Sequence, residues 1–146
     1  MTDLEFSLTI QPIGYDDVWP EYFIKINQDT HYSGILKEIT KYDFNVGLVD
    51  GSHTVSVGFL NKTDHDTIVN GDEVLYDRAL FITNISIEGY ELDDFLYRAV
   101  YKPIDHPHSN SSYLSWNGVW TLEIETPIFT WIHKTQKLGR IYGILG

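Results

Sequence analysis

The sequence predicts an all-β protein, a sandwich or a barrel. Apolar residues recur at every second position in run after run, turn dipeptides separate the runs at short intervals, and one short stretch alone supports a helix. Successive side chains of a strand point to opposite faces, so a period of two marks one face against a core and one face against water.

The elements follow in chain order. Leu4, Phe6, Leu8 and Ile10 alternate with Glu5, Ser7 and Thr9, which predicts a half-buried strand ended by Pro12-Ile13-Gly14. Tyr22, Ile24 and Ile26 predict a second strand, closed by the turn Asn27-Gln28-Asp29. Ile35 to Leu48 reads as two strands that meet near Thr40-Lys41. Asp50-Gly51-Ser52 lies between two alternating runs and predicts a hairpin, because Asp-Gly supplies the positive φ of a tight turn. Val55, Val57 and Phe59 form the next alternating run. Asn70-Gly71-Asp72 and Glu88-Gly89 mark turns on either side of Ala79 to Ile87, a β-branched, mostly apolar run that reads as a central strand covered on both faces. Glu91 to Tyr97 fits one or two helical turns with Leu92, Phe95 and Leu96 on one side, or equally a strand edge. Lys102 to Ser112, with its prolines, histidines and serines, reads as a long surface loop. Tyr113 to Ile124 reads as strand, tight Asn117-Gly118 turn, strand, and Phe129 and Trp131 alternate around Thr130 as a last strand. Trp120 and Trp131 sit in phase with apolar neighbours and are assigned to the core.

Composition bounds the function. The 146 residues suit one domain, 1–146, long enough for a core without disulfide staples. The absence of cysteine excludes disulfides, thiolate metal sites and a cysteine nucleophile. Ten Lys and Arg against 21 Asp and Glu give a net charge of −11, which argues against nucleic acid, since tracking a phosphate backbone needs clustered cations. The basic residues His133, Lys134, Lys137 and Arg140 are too sparse to reverse that. No apolar segment approaches the ~18 residues of a membrane span, so no membrane insertion is expected. Met1-Thr2-Asp3-Leu4-Glu5 carries no basic stretch before an apolar run, and the expected location is a virus particle or the cytoplasm. There is neither a Gly-rich phosphate cradle nor a Gly-x-Ser-x-Gly elbow, and 146 residues leave little room for a deep cleft, so the chain is read as non-enzymatic. Asp105, His106, Pro107 and His108 lack a third convincing ligand and read as surface loop; His31, His53 and His133 look ordinary.

The segment Phe59 to Gly89 carries the chemistry. An alternating strand ends in an oxygen-rich loop that holds Asp64, Asp66, Asp72 and Asp77, and an apolar strand follows Asp77-Arg78. Such a loop offers the flexible oxygens that Ca²⁺ requires, but spacing alone favours the solvated acidic loop that an acidic protein produces by composition.

This stretch resembles the calcium-dependent carbohydrate-binding modules of the xylan-binding type. Phe59-Leu60-Asn61 matches the entry strand, Asp77-Arg78-Ala79-Leu80 the exit, and Ile85-Ser86-Ile87-Glu88-Gly89 the end of the apolar strand. Lys62 stands where that family has Asp, and Ala79 where it has Asn. The resemblance implies a β-sandwich of jelly-roll type, Ca²⁺ as cofactor and a polysaccharide or glycan as partner. It also implies that vicinal sugar hydroxyls fill open positions on the ion. With the longer loop, Asp64, Asp66 and Asp77 become the candidate ligands, and Arg78 becomes a structural residue beneath the loop. Unpaired carboxylates converging there repel, so Ca²⁺ should raise the melting temperature unless the Lys62 ammonium takes the ion's place.

Trp116 precedes a turn and breaks the alternation, so it is either exposed or an edge of the core; with Tyr113 it is the candidate sugar-stacking residue. Tyr113 to Ile132, together with the acidic start, weakly resembles small proteins of large tailed phages of marine bacteria. That second resemblance implies other virion proteins as partners. It supports an alternative function, a structural or adhesion protein of a virus particle that does not bind sugar.

Overall fold

The structure, a computed structural model, describes residues 2–14, 18–62, 68–70, 73–76 and 78–135. Its strands are β1 Thr2–Ile13, β2 Glu21–Ile26, β3 Asp29–Ile35, β4 Thr40–Leu48, β5 Gly51–Phe59, β6 Ile68–Asn70, β7 Glu73–Tyr76, β8 Ala79–Ile87, β9 Tyr90–Glu91, β10 Val100–Pro103, β11 Tyr113–Leu114 and β12 Gly118–Thr126. A 3₁₀ helix, η1, spans Asp93–Arg98, and a helix, α1, spans 128–135.

Two five-stranded antiparallel sheets face each other. The first runs β11-β8-β1-β4, with β9 also on β8; the second runs β10-β12-β5-β2-β3; β6 and β7 pair as a separate hairpin. This is the expected all-β sandwich of jelly-roll type, in which most successive strands pass from one sheet to the other. The alternating residues fill the space between the sheets. Leu4, Phe6, Leu8 and Ile10 of β1 oppose Tyr22, Ile24 and Ile26 of β2, Val55, Val57 and Phe59 of β5, and Trp120, Leu122 and Ile124 of β12, all buried in one core. The Tyr42 hydroxyl of β4 donates to the Tyr22 hydroxyl of β2 at 2.7 Å, a polar tie across the apolar layer. η1 resolves the two readings of Glu91 to Tyr97 in favour of a helical turn, with Leu92 and Phe95 buried and Leu96 packed on the core.

Several local expectations are corrected. Asp50-Gly51 does not close a hairpin: β4 pairs with β1 and β5 with β12 and β2, so the turn is an arch between sheets. Asn117-Gly118 is likewise an arch, between β11 on β8 and β12 on β5. Turn chemistry sets a chain reversal but not whether the flanking strands bond side by side or stack face to face. Pro12 does not end β1, which continues to Ile13 against β8 after its ladder to β4 has stopped at Ile10; there proline's missing N–H is tolerated, as on any edge. The strand expected from Ile35 instead ends there, as β3 of a β2–β3 hairpin, and Thr40 begins β4. β8 is buried on its inner face and half-buried on its outer one. A bulge at Thr83, opposite Thr9/Ile10 of β1, turns both Ile82 and Ile85 inward. The long loop begins at Ile104, since Lys102 and Pro103 belong to β10. Phe129 and Trp131 lie on α1 and not on a strand. Ile128, Trp131 and Thr135 are buried and Phe129 is exposed, which is helical spacing that a five-residue window cannot distinguish from alternation.

Candidate functional site

One end of the sandwich is set by the register of β5 and β12. Phe59 pairs with Gly118, so residues 60–62 leave the second sheet where 115–117 enter it. Arg78, the residue before β8, reaches the same end. Its buried guanidinium donates to the carbonyl of Asn61, the structural role expected of it. Asn61 is occupied as well: Oδ1 accepts from the Glu21 backbone N–H at 2.7 Å and Nδ2 donates to the Trp19 carbonyl at 3.0 Å.

Asn117 works as a bracket. Its Oδ1 accepts from the Lys62 N–H at 2.6 Å and its Nδ2 donates to the Lys62 carbonyl at 2.9 Å, replacing a strand pair with one side chain. The next residue, Gly118, tolerates no side chain: a Cβ there would lie 2.5 Å from the Lys102 carbonyl oxygen on β10. Lys62 is buried with its ammonium, which donates to the Arg78 carbonyl at 2.9 Å and lies 5.6 Å from the centroid of the Trp116 ring. A buried ammonium needs such partners, since an uncompensated charge is expensive away from water.

Trp116 is half-buried, between the two expectations for it. Its backbone N–H donates to the Tyr101 hydroxyl at 2.9 Å, and the same hydroxyl donates to the Trp116 carbonyl. Burial pushes the Tyr101 phenol up to about 12, against the lowering effect of the bond to the Trp116 backbone. His106 stacks on the indole at 4.1 Å and 22° between planes. Tyr113 is half-buried on β11, tilted against Phe81 of β8 with ring centroids 6.0 Å apart. The fold thus gathers Trp116, Lys62 and Arg78, while Tyr113 stands on the outer face of the first sheet beside Phe81. Asn117, Tyr101 and His106 are neighbours of this end that the sequence reading does not assign to it: Asn117 reads as turn, His106 as loop, and Tyr101 is not singled out. An Asn between two alternating runs signals a turn, and nothing in the spacing announces the bracket to Lys62.

Asp64, Asp66 and Asp77 lie outside the described residues. Among the described residues, no three of His, Asp and Glu converge as a metal site. Neither Asn61, whose amide is engaged with the main chain, nor Lys62, whose ammonium donates to the Arg78 carbonyl, offers a side-chain oxygen free for a cation, so carboxylates for Ca²⁺ would have to come from Asp64, Asp66 and Asp77.

The two-sheet antiparallel sandwich is a fold that other solved proteins share. In particular, the chain is similar to vCBM60. One solved structure of it, the selenomethionine form from work on circular permutation linking two families of calcium-dependent carbohydrate-binding modules, aligns with a TM-score of 0.52 at 13% identity, over 81% of this chain and 88% of that one. A second, vCBM60 in complex with galactobiose, aligns with a TM-score of 0.52 at 12% identity, over 80% of this chain and 95% of that one. At this identity the likeness shows a shared fold. No family model matches the chain, and no curated protein matches it.

Proposed function

We propose that residues 1–146 form a non-catalytic, glycan-binding module whose sugar site is the end of the sandwich between Trp116 and the acidic loop, with Asp64, Asp66 and Asp77 holding Ca²⁺. The observation that carries this reading is Trp116 itself. Its backbone is fixed to Tyr101 and its ring lies beside the residue from which the oxygen-rich loop departs, in a fold shared with calcium-dependent carbohydrate-binding modules. A preorganised aromatic edge costs little entropy when a sugar ring meets it. Bound here, calcium would supply coordination positions for vicinal hydroxyls. The chain's own part is to hold the indole, to bracket the loop root through Asn117, and to set the charge balance through Lys62.

Lys62 makes the reading testable. Its fixed positive charge lies at the root of the loop and works against a second cation. Calorimetric titration with galactobiose, the sugar held by the solved neighbour, is the first binding assay, run with Ca²⁺ and with a chelator. At a hundredfold excess of Ca²⁺ over its Kd, linkage raises stability by about 2.7 kcal/mol, which is a melting shift of roughly 5–10 °C in a chain this size. Asp77→Ala should abolish that shift. If Ca²⁺ leaves melting unchanged and Lys62→Ala destabilises the fold, the lysine has replaced the ion and the calcium reading is lost.

A further inference from the structure

The outer face of the second sheet carries three cations, Lys25, Arg98 and Lys102, on a chain of net charge −11. Two depressions of about 270 and 240 Å³ lie on it side by side. Phe23, Lys25 and Ser56 line the first, and Arg98, Lys102 and Thr121 the second. Strand register joins them: Val100, Thr121, Ser56 and Lys25 form one row across β10, β12, β5 and β2, and Lys102, Val119, Gly58 and Phe23 form the next. Four strands at about 4.8 Å spacing put β10 and β2 roughly 14 Å apart, with Lys102 and Lys25 on a diagonal between the two rows.

The Lys25 end is built rather than loose. The Phe23 ring lies over Gly58, where a Cβ would come within 1.9 Å of Cε2, and the Lys25 ammonium sits 4.7 Å over the ring centroid. The glycine lets the ring lie against the sheet, and the ring holds the ammonium at the surface. None of Lys25, Arg98 and Lys102 forms an ion pair with a described residue, although Glu123 lines the same depression as Arg98 and Lys102; the ion pair among described residues is Lys41 with Asp43.

We propose that this sheet face is a second ligand surface, distinct from the loop site, and that it binds an acidic, uronate-bearing saccharide chain. Separated cations match carboxylates carried one to a sugar ring, and the hydroxyls of Thr54, Ser56 and Thr121 match sugar hydroxyls. A nucleic acid, with a charge every ~1.7 Å of duplex, would need a denser basic stripe than three side chains.

The test is calorimetric titration of the whole chain, in chelator, with a galacturonate tetramer, a neutral galactose tetramer and a single-stranded DNA oligomer. The expected result is binding of the galacturonate oligomer alone, weakening as salt rises. The exposed-site double variant Arg98→Glu/Lys102→Glu should lose at least tenfold in affinity, and Lys25→Glu alone several-fold, with unchanged melting. Asp77→Ala should leave galacturonate binding intact, which separates this face from the loop. Failure of wild type to bind galacturonate, equal binding of the neutral oligomer, preference for the DNA, or charge-reversal variants that bind like wild type would each overturn the proposal.

Discussion

Single residues at the candidate site act through the main chain more than through their own exposed chemistry. Asn117 bonds both polar groups of the Lys62 backbone, so truncation removes two hydrogen bonds at a buried residue. Asn117→Ala should cost about 2–3 kcal/mol by denaturant unfolding, and Asn117→Asp, which keeps the acceptor and loses the donor, should cost less. His53 makes a similar bridge, with Nε2 donating to the Val49 carbonyl at 2.6 Å and Nδ1 accepting from Asn27 at 3.0 Å, which ties the β2–β3 turn to the β4–β5 arch. Residue identity told which positions are wet and which dry. It did not tell which polar groups close on the backbone, because such bonds join residues that are far apart in sequence, such as Lys62 and Asn117, and leave no local pattern.

At the scale of elements, the alternating runs were legible because one face is buried and a period of two survives any loop length. The runs of β1, β2, β5 and β12 need no correction to their core faces. The misreadings fall where the local signal is ambiguous. α1 shows the difference most sharply, since a strand would make Phe129 and Trp131 equivalent and the helix makes them opposite. Trp131→Ala should therefore destabilise by about 3–5 kcal/mol, and Phe129→Ala by no more than about 0.5 kcal/mol. Equal effects in thermal melts would restore the strand. Both arches hid behind good hairpin sequences, and the close backbone contact at Gly118 is visible only once β10 lies across it.

For the whole molecule, stability at high pH follows from its buried phenols. Burial raises the Tyr42 hydroxyl above its ordinary range, with Tyr22 adding to the effect, and pushes Tyr101 up to about 12. Above pH 10 the unfolded chain loses these protons while the folded chain keeps them, so stability falls as pH rises through the window from 10 to about 12. Denaturant midpoints should hold below pH 9 and then drop. Tyr101→Phe should lower the starting stability and flatten part of that drop. The sandwich class and its carbohydrate-module likeness were legible from the strand periods and the Phe59 to Gly89 stretch. The cation-lined sheet face was not, because its residues come from four strands and η1, scattered between Phe23 and Glu123.

The arches also set a timetable. β12 sits inside the second sheet, between β10 and β5, and β1 sits inside the first, between β8 and β4. A nascent chain that has emerged only to residue 117 therefore has β5 and β10 with an empty slot between them. Beyond the β2–β3 and β8–β9 hairpins neither sheet can zip locally, because the arches send the next strand to the opposite layer. Such sequence-distant pairing places folding in the millisecond-to-second range, after most of the chain is made. Until β12 arrives, the bonding edges of β5 and β10 stand open to another copy, so crowding of half-made chains on one message is the moment at which this protein is most prone to aggregate.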